Sequence, residues 1–156
     1  MPRSESGPAV GSTKARGARR RARELALQGL YQWLVGGQDV RAILTHLAER
    51  EEYAAAEQEY VDVLVRGIVE HATALHEALA PFLDRPVREL SPVEHAILLI
   101  GAFELFHRPE VPRRVVINEA IEIAKAFGGT DGYRYVNGVL DRLATRARAA
   151  ELGAAP

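Results

Sequence analysis

Cysteine is absent from the 156 residues, which excludes disulfides, thiolate nucleophiles and thiolate metal sites. No apolar run approaches the roughly 20 residues that a membrane span requires, and residues 1–17 hold no apolar stretch of the secretory kind. The glycine pairs Gly36-Gly37 and Gly128-Gly129 are not followed by Lys-Ser/Thr, so neither is a phosphate-binding loop; both read as helix stops. None of the five histidines, His46, His71, His76, His95 and His107, stands in an HExxH spacing. His71 and His76 would point about 140° apart around one helix, a poor geometry for a shared metal. Glu119 and Glu122 share a helix face, but no nearby histidine or lysine completes a catalytic set. No catalytic activity, metal or cofactor is expected, and the chain reads as cytoplasmic.

No sustained alternation of apolar and polar residues compels a strand, and no repeat is present. The periodicity that is present is helical. Leu27, Leu30, Tyr31 and Leu34 recur at i, i+3, i+4 and i+7, predicting a helix that starts at the arginine run 19–23 and ends near Gly36-Gly37. Asp39 is placed to cap a short helix with Ile43, Leu44 and Leu47 inward. A single helix is predicted from about Glu57 to Leu79, with Tyr60, Leu64, Ile68 and Leu75 inward, stopped by Pro81. Ser91-Pro92-Val93-Glu94 carries an N-cap, a first-turn proline and a capping-box glutamate. The residues from Ala96 to Phe103 are apolar nearly all round, so this helix should be central. Pro109 and Pro112 bracket a turn before the stripe Val116, Ile117, Ala120, Ile121 and Ala124. Thr130 or Asp131 can cap a last helix with Val136, Val139, Leu140 and Leu143 inward, whose Ala/Arg-rich end is expected to fray. The fold class is therefore all-α, about six to seven helices in two small subdomains. The expected divisions are a disordered basic leader over 1–18, helical groups over 19–80 and 81–148, and a flexible tail over 149–156.

Charge is distributed unevenly. The net value is −1, yet the chain through Leu30 holds seven basic residues against Glu5 and Glu24, a balance of +5, leaving −6 for the remainder. Arg19, Arg20, Arg21 and Arg23 fall at the predicted start of the first helix, where positive charge opposes the macrodipole by roughly 0.3–1 kcal/mol per exposed residue. Stability alone does not select them. Arginine forks grip phosphate bidentately and release counterions from a polyanion, so this end reads as an anion-binding surface.

Three blocks together resemble the bacterial transcription antitermination NusB family: residues 19–33, the run from Leu90 through Leu105, and Val115–Gly128 followed by Tyr135-Val136-Asn137-Gly138-Val139-Leu140-Asp141. The resemblance covers most of the chain from Arg19 to Leu143. It implies two helical subdomains that bind the boxA element of ribosomal RNA transcripts together with NusE, a ribosomal protein, within an antitermination complex on RNA polymerase. It further implies RNA contacts from Arg19, Arg20, Arg23 and Tyr31 on the first helix and from Arg134 and Tyr135 near the last. Glu94 matches a position that contacts NusE, and Asp131 a loop position that modifies antitermination. Family members occur as monomers and as homodimers. Phenylalanine often stands where this chain has Tyr135, and the leader differs in length, which leaves contacts from Lys14 and Arg16 open. Two other readings are a stand-alone RNA-recognition module related to the N-terminal domain of ribosomal RNA cytosine methyltransferases, and a self-associating helical scaffold.

Overall fold

The structure is a computed structural model that describes residues 3–129 and 131–149, with side chains from residue 14 onward. Seven α-helices are present among the described residues: α1 (Arg3–Gly36), α2 (Val40–Ala48), α3 (Gln58–Glu70), α4 (Ala72–Leu79), α5 (Pro92–His107), α6 (Arg113–Phe127) and α7 (Gly132–Ala147). Short 3₁₀ turns lie at Glu51–Ala55, Ala80–Phe82 and Val87–Glu89. No strand occurs among the described residues.

Local chemistry sets most boundaries. Gly37 takes φ +68 and its N–H returns to the Trp33 carbonyl, closing α1 in the left-handed conformation that glycine adopts without a Cβ penalty. Asp39 accepts from the Ala42 N–H at 2.9 Å and starts α2. Ser91 accepts from the Glu94 N–H at 3.1 Å, with Pro92 at the first position of α5. From Ala96 to Leu105 every residue of α5 is buried, so it is the central helix that its composition predicts. α1, α3, α4, α6 and α7 all pack on it, and the buried side chains form one continuous core.

Three expectations require revision. α1 begins at Arg3 rather than at the arginine run, so residue 18 marks where packing starts: the Ala18 carbonyl accepts from the Glu57 N–H. The predicted 57–79 helix is broken at His71 into α3 and α4. There the imidazole Nδ1 lies 2.9 Å from the Gly67 carbonyl, and the ring sits tilted against that of His107, centroids 4.3 Å apart. Gly67 admits the Phe103 ring so closely that a Cβ would fall 2.5 Å from it. The break therefore answers to α5. At the far end, Arg148 is buried instead of frayed, donating to the Leu105 carbonyl at 2.7 Å and to those of Glu104 and Arg108 at 3.0 and 3.1 Å. Glu104 and Leu105 lie in the last turn of α5, and a cation suits that negative end of the dipole.

One buried ion pair sets the position of α1. Arg23, only 3% exposed, donates through Nε to Glu104 at 2.9 and 3.2 Å, and Glu104 is 1% exposed. The Tyr60 hydroxyl donates to the same carboxylate, joining α1, α3 and α5 at one point. Burial, followed by the Glu104 charge, pushes the Tyr60 phenol above its usual pKa, so it remains a donor. Removing one partner strands a buried charge, which costs about 3–5 kcal/mol. Glu104→Gln should lose stability on that scale in chemical denaturation, whereas Glu119→Gln, whose partner Arg20 is half-exposed, should lose much less.

A histidine pair joins α4 to α5: the Nε2 atoms of His76 and His95 lie 2.7 Å apart, so one ring donates and the other accepts. Burial holds both below the ordinary value of 6.5, His95 at about 4 with a further push from His76. The unfolded chain binds these protons first. Stability is therefore intact above pH 6.5 and declines as pH falls from there toward 4. Thermal denaturation across that window should show the decline, and His95→Leu should reduce it.

Candidate nucleic-acid interface

The arginine run lies on one turn of α1, yet its members are presented very differently. Arg19 forms a fork with Glu57 at the start of α3, Nε to Oε1 at 2.9 Å and Nη2 to Oε2 at 2.8 Å. Its guanidinium also covers the Tyr60 ring at 3.9 Å, a cation–π contact. Arg20 forms an equivalent fork with Glu119 of α6, both bonds at 2.8 Å, and its side chain is 46% exposed. Arg21 is exposed, as are Lys14 and Arg16 one to two turns earlier. Arg23 differs from its neighbours. Its Nε is committed to Glu104 inside the core, and its side chain, 4% exposed, lines the inner wall of an open cavity. It occupies the apolar stripe four residues before Leu27 and seven before Leu30, so the core requires it to be paired.

Sequence reasoning missed the acidic partners Glu57 and Glu104 and weighed Glu119 only as one of a possible catalytic pair. The signal was present for Glu104, a carboxylate in a helix otherwise apolar all round, which demands a buried cation. Glu57 and Glu119 carried no such local signal. Between them, α1 and the loop before α6 enclose an open cavity of about 510 Å³ lined by Arg16, Arg19, Glu110, Val111, Pro112 and Val115, among others.

Tyr31 lies eleven residues beyond Arg20, about 20° around the α1 axis and about 16 Å along it, so both edge the same face. It is 42% exposed and lines a second open cavity of about 380 Å³ with Leu27, Gln28, Gln32, Val93 and Phe127. Since Arg20 meets Glu119 while Tyr31 and Phe127 line the same cavity, α1 and α6 run in the same sense, each packed on α5. Phe127, the last residue of α6, is 45% exposed.

The start of α5 links this groove to the remaining expected residues. Val93 lines it, while the neighbouring Glu94 places Oε2 so near Gly132 that a Cβ there would lie 2.7 Å away. A half-buried carboxylate thus faces the positive end of α7. Asp131 stands before α7 without a side-chain capping bond, 3.6 Å from Arg134, and both are largely exposed. Thr130 lies outside the described residues. Tyr133 receives Lys125 at 5.2 Å and Arg134 at 5.5 Å from its ring centroid. Tyr135 is half-buried: its hydroxyl accepts from the Asp84 N–H at 3.3 Å, and the Arg85 guanidinium lies 4.7 Å from its ring. Tyr31, Glu94, Asp131, Arg134 and Tyr135 therefore belong to connected elements at one end of the helices. No hydrogen bond, ion pair or ring contact joins Tyr135 to the α1 arginines among the described residues.

The forks leave an electrostatic mark on their acids. Hydrogen bonding from Arg19 holds the Glu57 carboxyl below its usual range, and Arg20 does the same to Glu119. Arg20→Ala should return the Glu119 pKa toward the ordinary carboxylate value in an NMR titration while leaving that of Glu57 in place.

Comparison with known proteins agrees with this architecture. The sequence model of the NusB family matches residues 20–145. The transcription antitermination protein NusB of Bordetella pertussis is 55% identical over 146 residues, 91% of this chain and 95% of its own length. That of Ralstonia pickettii is 52% identical over 150 residues, covering 96% and 97%. Among solved structures, T. maritima NusB superposes with a TM-score of 0.76 at 31% identity, covering 86% of this chain and 96% of that one. A crystal structure of the antitermination factors NusB and NusE in complex with dsRNA gives 0.73 at 23% identity, over 81% and 96%, a likeness of fold. The match extends across the core helices, the arginine-bearing α1 and the α6–α7 corner alike: the chain belongs to the NusB family.

Proposed function

We propose that the protein is a non-catalytic, RNA-binding transcription antitermination factor that acts in the cytoplasm on boxA RNA of ribosomal RNA transcripts together with NusE. The observation that carries this reading is the near end-to-end likeness, above 50% identity, to transcription antitermination proteins NusB. The exposed basic residues Lys14, Arg16, Arg20 and Arg21 on α1 supply phosphate attraction, and exposed Tyr31 and Arg134 supply an aromatic and a cationic surface nearer the other end of the groove. Single-stranded RNA is held through this combination, with base stacking worth about 1–3 kcal/mol per aromatic. Glu94 and the acidic remainder of the chain suit a basic protein partner, and a NusB–NusE–dsRNA assembly has been crystallised for a protein of this fold. The reading as a recognition module of a methyltransferase is not favoured, because the relatives matched over most of their length are antitermination proteins.

With four phosphates neutralised, the log–log dependence of single-stranded RNA affinity on salt should have a slope of about −3, from about 0.7 per contact. A flat response overturns the reading. A boxA-type RNA should bind more tightly than a scrambled sequence when NusE is present, and Tyr31→Ala should weaken binding even at high salt, where stacking outlasts charge attraction.

A further inference from the structure

The three paired arginines of α1 form a graded series. Arg23 is enclosed with Glu104, and both carboxylate oxygens lie within reach of its Nε. Arg19 is about one-quarter exposed and doubly held, by the Glu57 fork and by the Tyr60 ring. Arg20 alone combines a half-exposed side chain with a single carboxylate partner at the groove rim, and that partner, Glu119, is itself only 15% exposed. A glutamate presents two coplanar oxygens to the guanidinium fork, the same recognition element that a phosphodiester presents. The Arg20 fork is therefore already filled by an internal anion at the place where an external one would bind.

We propose that Glu119 is an internal phosphate mimic that occupies the Arg20 guanidinium in the free protein and is displaced from it by an RNA phosphate. The proposal rests on the RNA-binding reading above and concerns how that surface is tuned. Two features give the exchange its direction. Glu119 remains 3.7 Å from Arg23 Nη1, so it keeps a cationic neighbour after losing Arg20. Arg20 needs only to swing about its exposed stem, because Arg23 and Arg19 hold the helix in place. The exchange makes specificity a matter of competition: an isolated anion meets an occupied fork, whereas a polyanion gripped at several other positions has the local concentration to displace Glu119. Glu119 is thus a residue that sets affinity without touching RNA.

The test is a double-mutant cycle on RNA affinity with Arg20→Ala, Glu119→Gln and the combined variant, using a boxA-type single-stranded RNA and a salt titration. Glu122→Gln serves as a control that removes an equal charge three residues along the exposed side of α6. Relief of an exposed ion pair predicts that Glu119→Gln tightens binding by about two- to fivefold, more than Glu122→Gln does, and that the gain disappears in the Arg20→Ala background. Weakened or unchanged binding by Glu119→Gln, or a gain that persists without Arg20, overturns the proposal. The wild-type arm separates this from the broader reading: a wild-type protein with no salt-dependent RNA affinity refutes RNA binding itself. If Glu119→Gln unfolds, as its thermal transition would reveal, Glu119→Asp supplies the same comparison. Its shorter arm cannot hold the fork as closely, and it should also bind RNA more tightly in an Arg20-dependent manner; equal or weaker binding contradicts the exchange.

Discussion

The buried contact between Arg23 and Glu104 fixes where α1 lies, and the basic surface depends on α1. A charge pair at 3% and 1% exposure is tolerated only when both members keep their hydrogen bonds, here supplemented by the Tyr60 hydroxyl. Three helices therefore meet in one register. A rotation of α1 that exposed Arg23 would bury Arg20 or Arg21 and strand Glu104. The same interaction also sorts the arginines: one holds the core, one rests on an aromatic ring, and one reaches the groove rim.

Glycines and cations finish what that pair begins. Gly101 brings α7 so near α5 that a Cβ would fall 2.6 Å from a Leu140 methyl, and Gly67 brings the Phe103 ring against α3. Close approach leaves the ends of α5 enclosed, and each end is satisfied chemically: Ser91 at its start, Arg148 at its finish. With α5 fixed at both ends, α1 and α6 lie along it as parallel walls. One open cavity lies by Glu119 near the Arg20 fork, and a second lies by Tyr31, Val93 and Phe127.

How much of this was legible in the sequence depended on how local its cause was. The Asp39 and Ser91 caps act within three residues, and both stand where the pattern placed them. The all-round apolarity of α5 announced a central helix. The break at His71 was hidden because its causes, His107 and Phe103, lie on another helix. For the site, the α1 arginines were visible as a cluster, but their allocation was not: Glu57 is 38 residues from Arg19, Glu119 is 99 from Arg20, and Glu104 is 81 from Arg23. One of those pairings could have been inferred. Arg23 sits on the apolar stripe of one helix and Glu104 within a wholly apolar segment of another, and each is costly to bury without an opposite charge.

The central claim is that Arg23 is structural while the exposed residues around it carry the phosphate contacts. Replacing the whole buried cluster by apolar groups, Arg23→Met with Glu104→Leu and Tyr60→Phe, removes the charge without stranding a partner in the core. The decisive measurement is the salt slope of RNA affinity for that folded triple variant. An unchanged slope, with the same number of phosphates neutralised, is the predicted result; a slope shallower by about 0.7, the loss of one single-strand contact, would place Arg23 at the RNA and contradict the account.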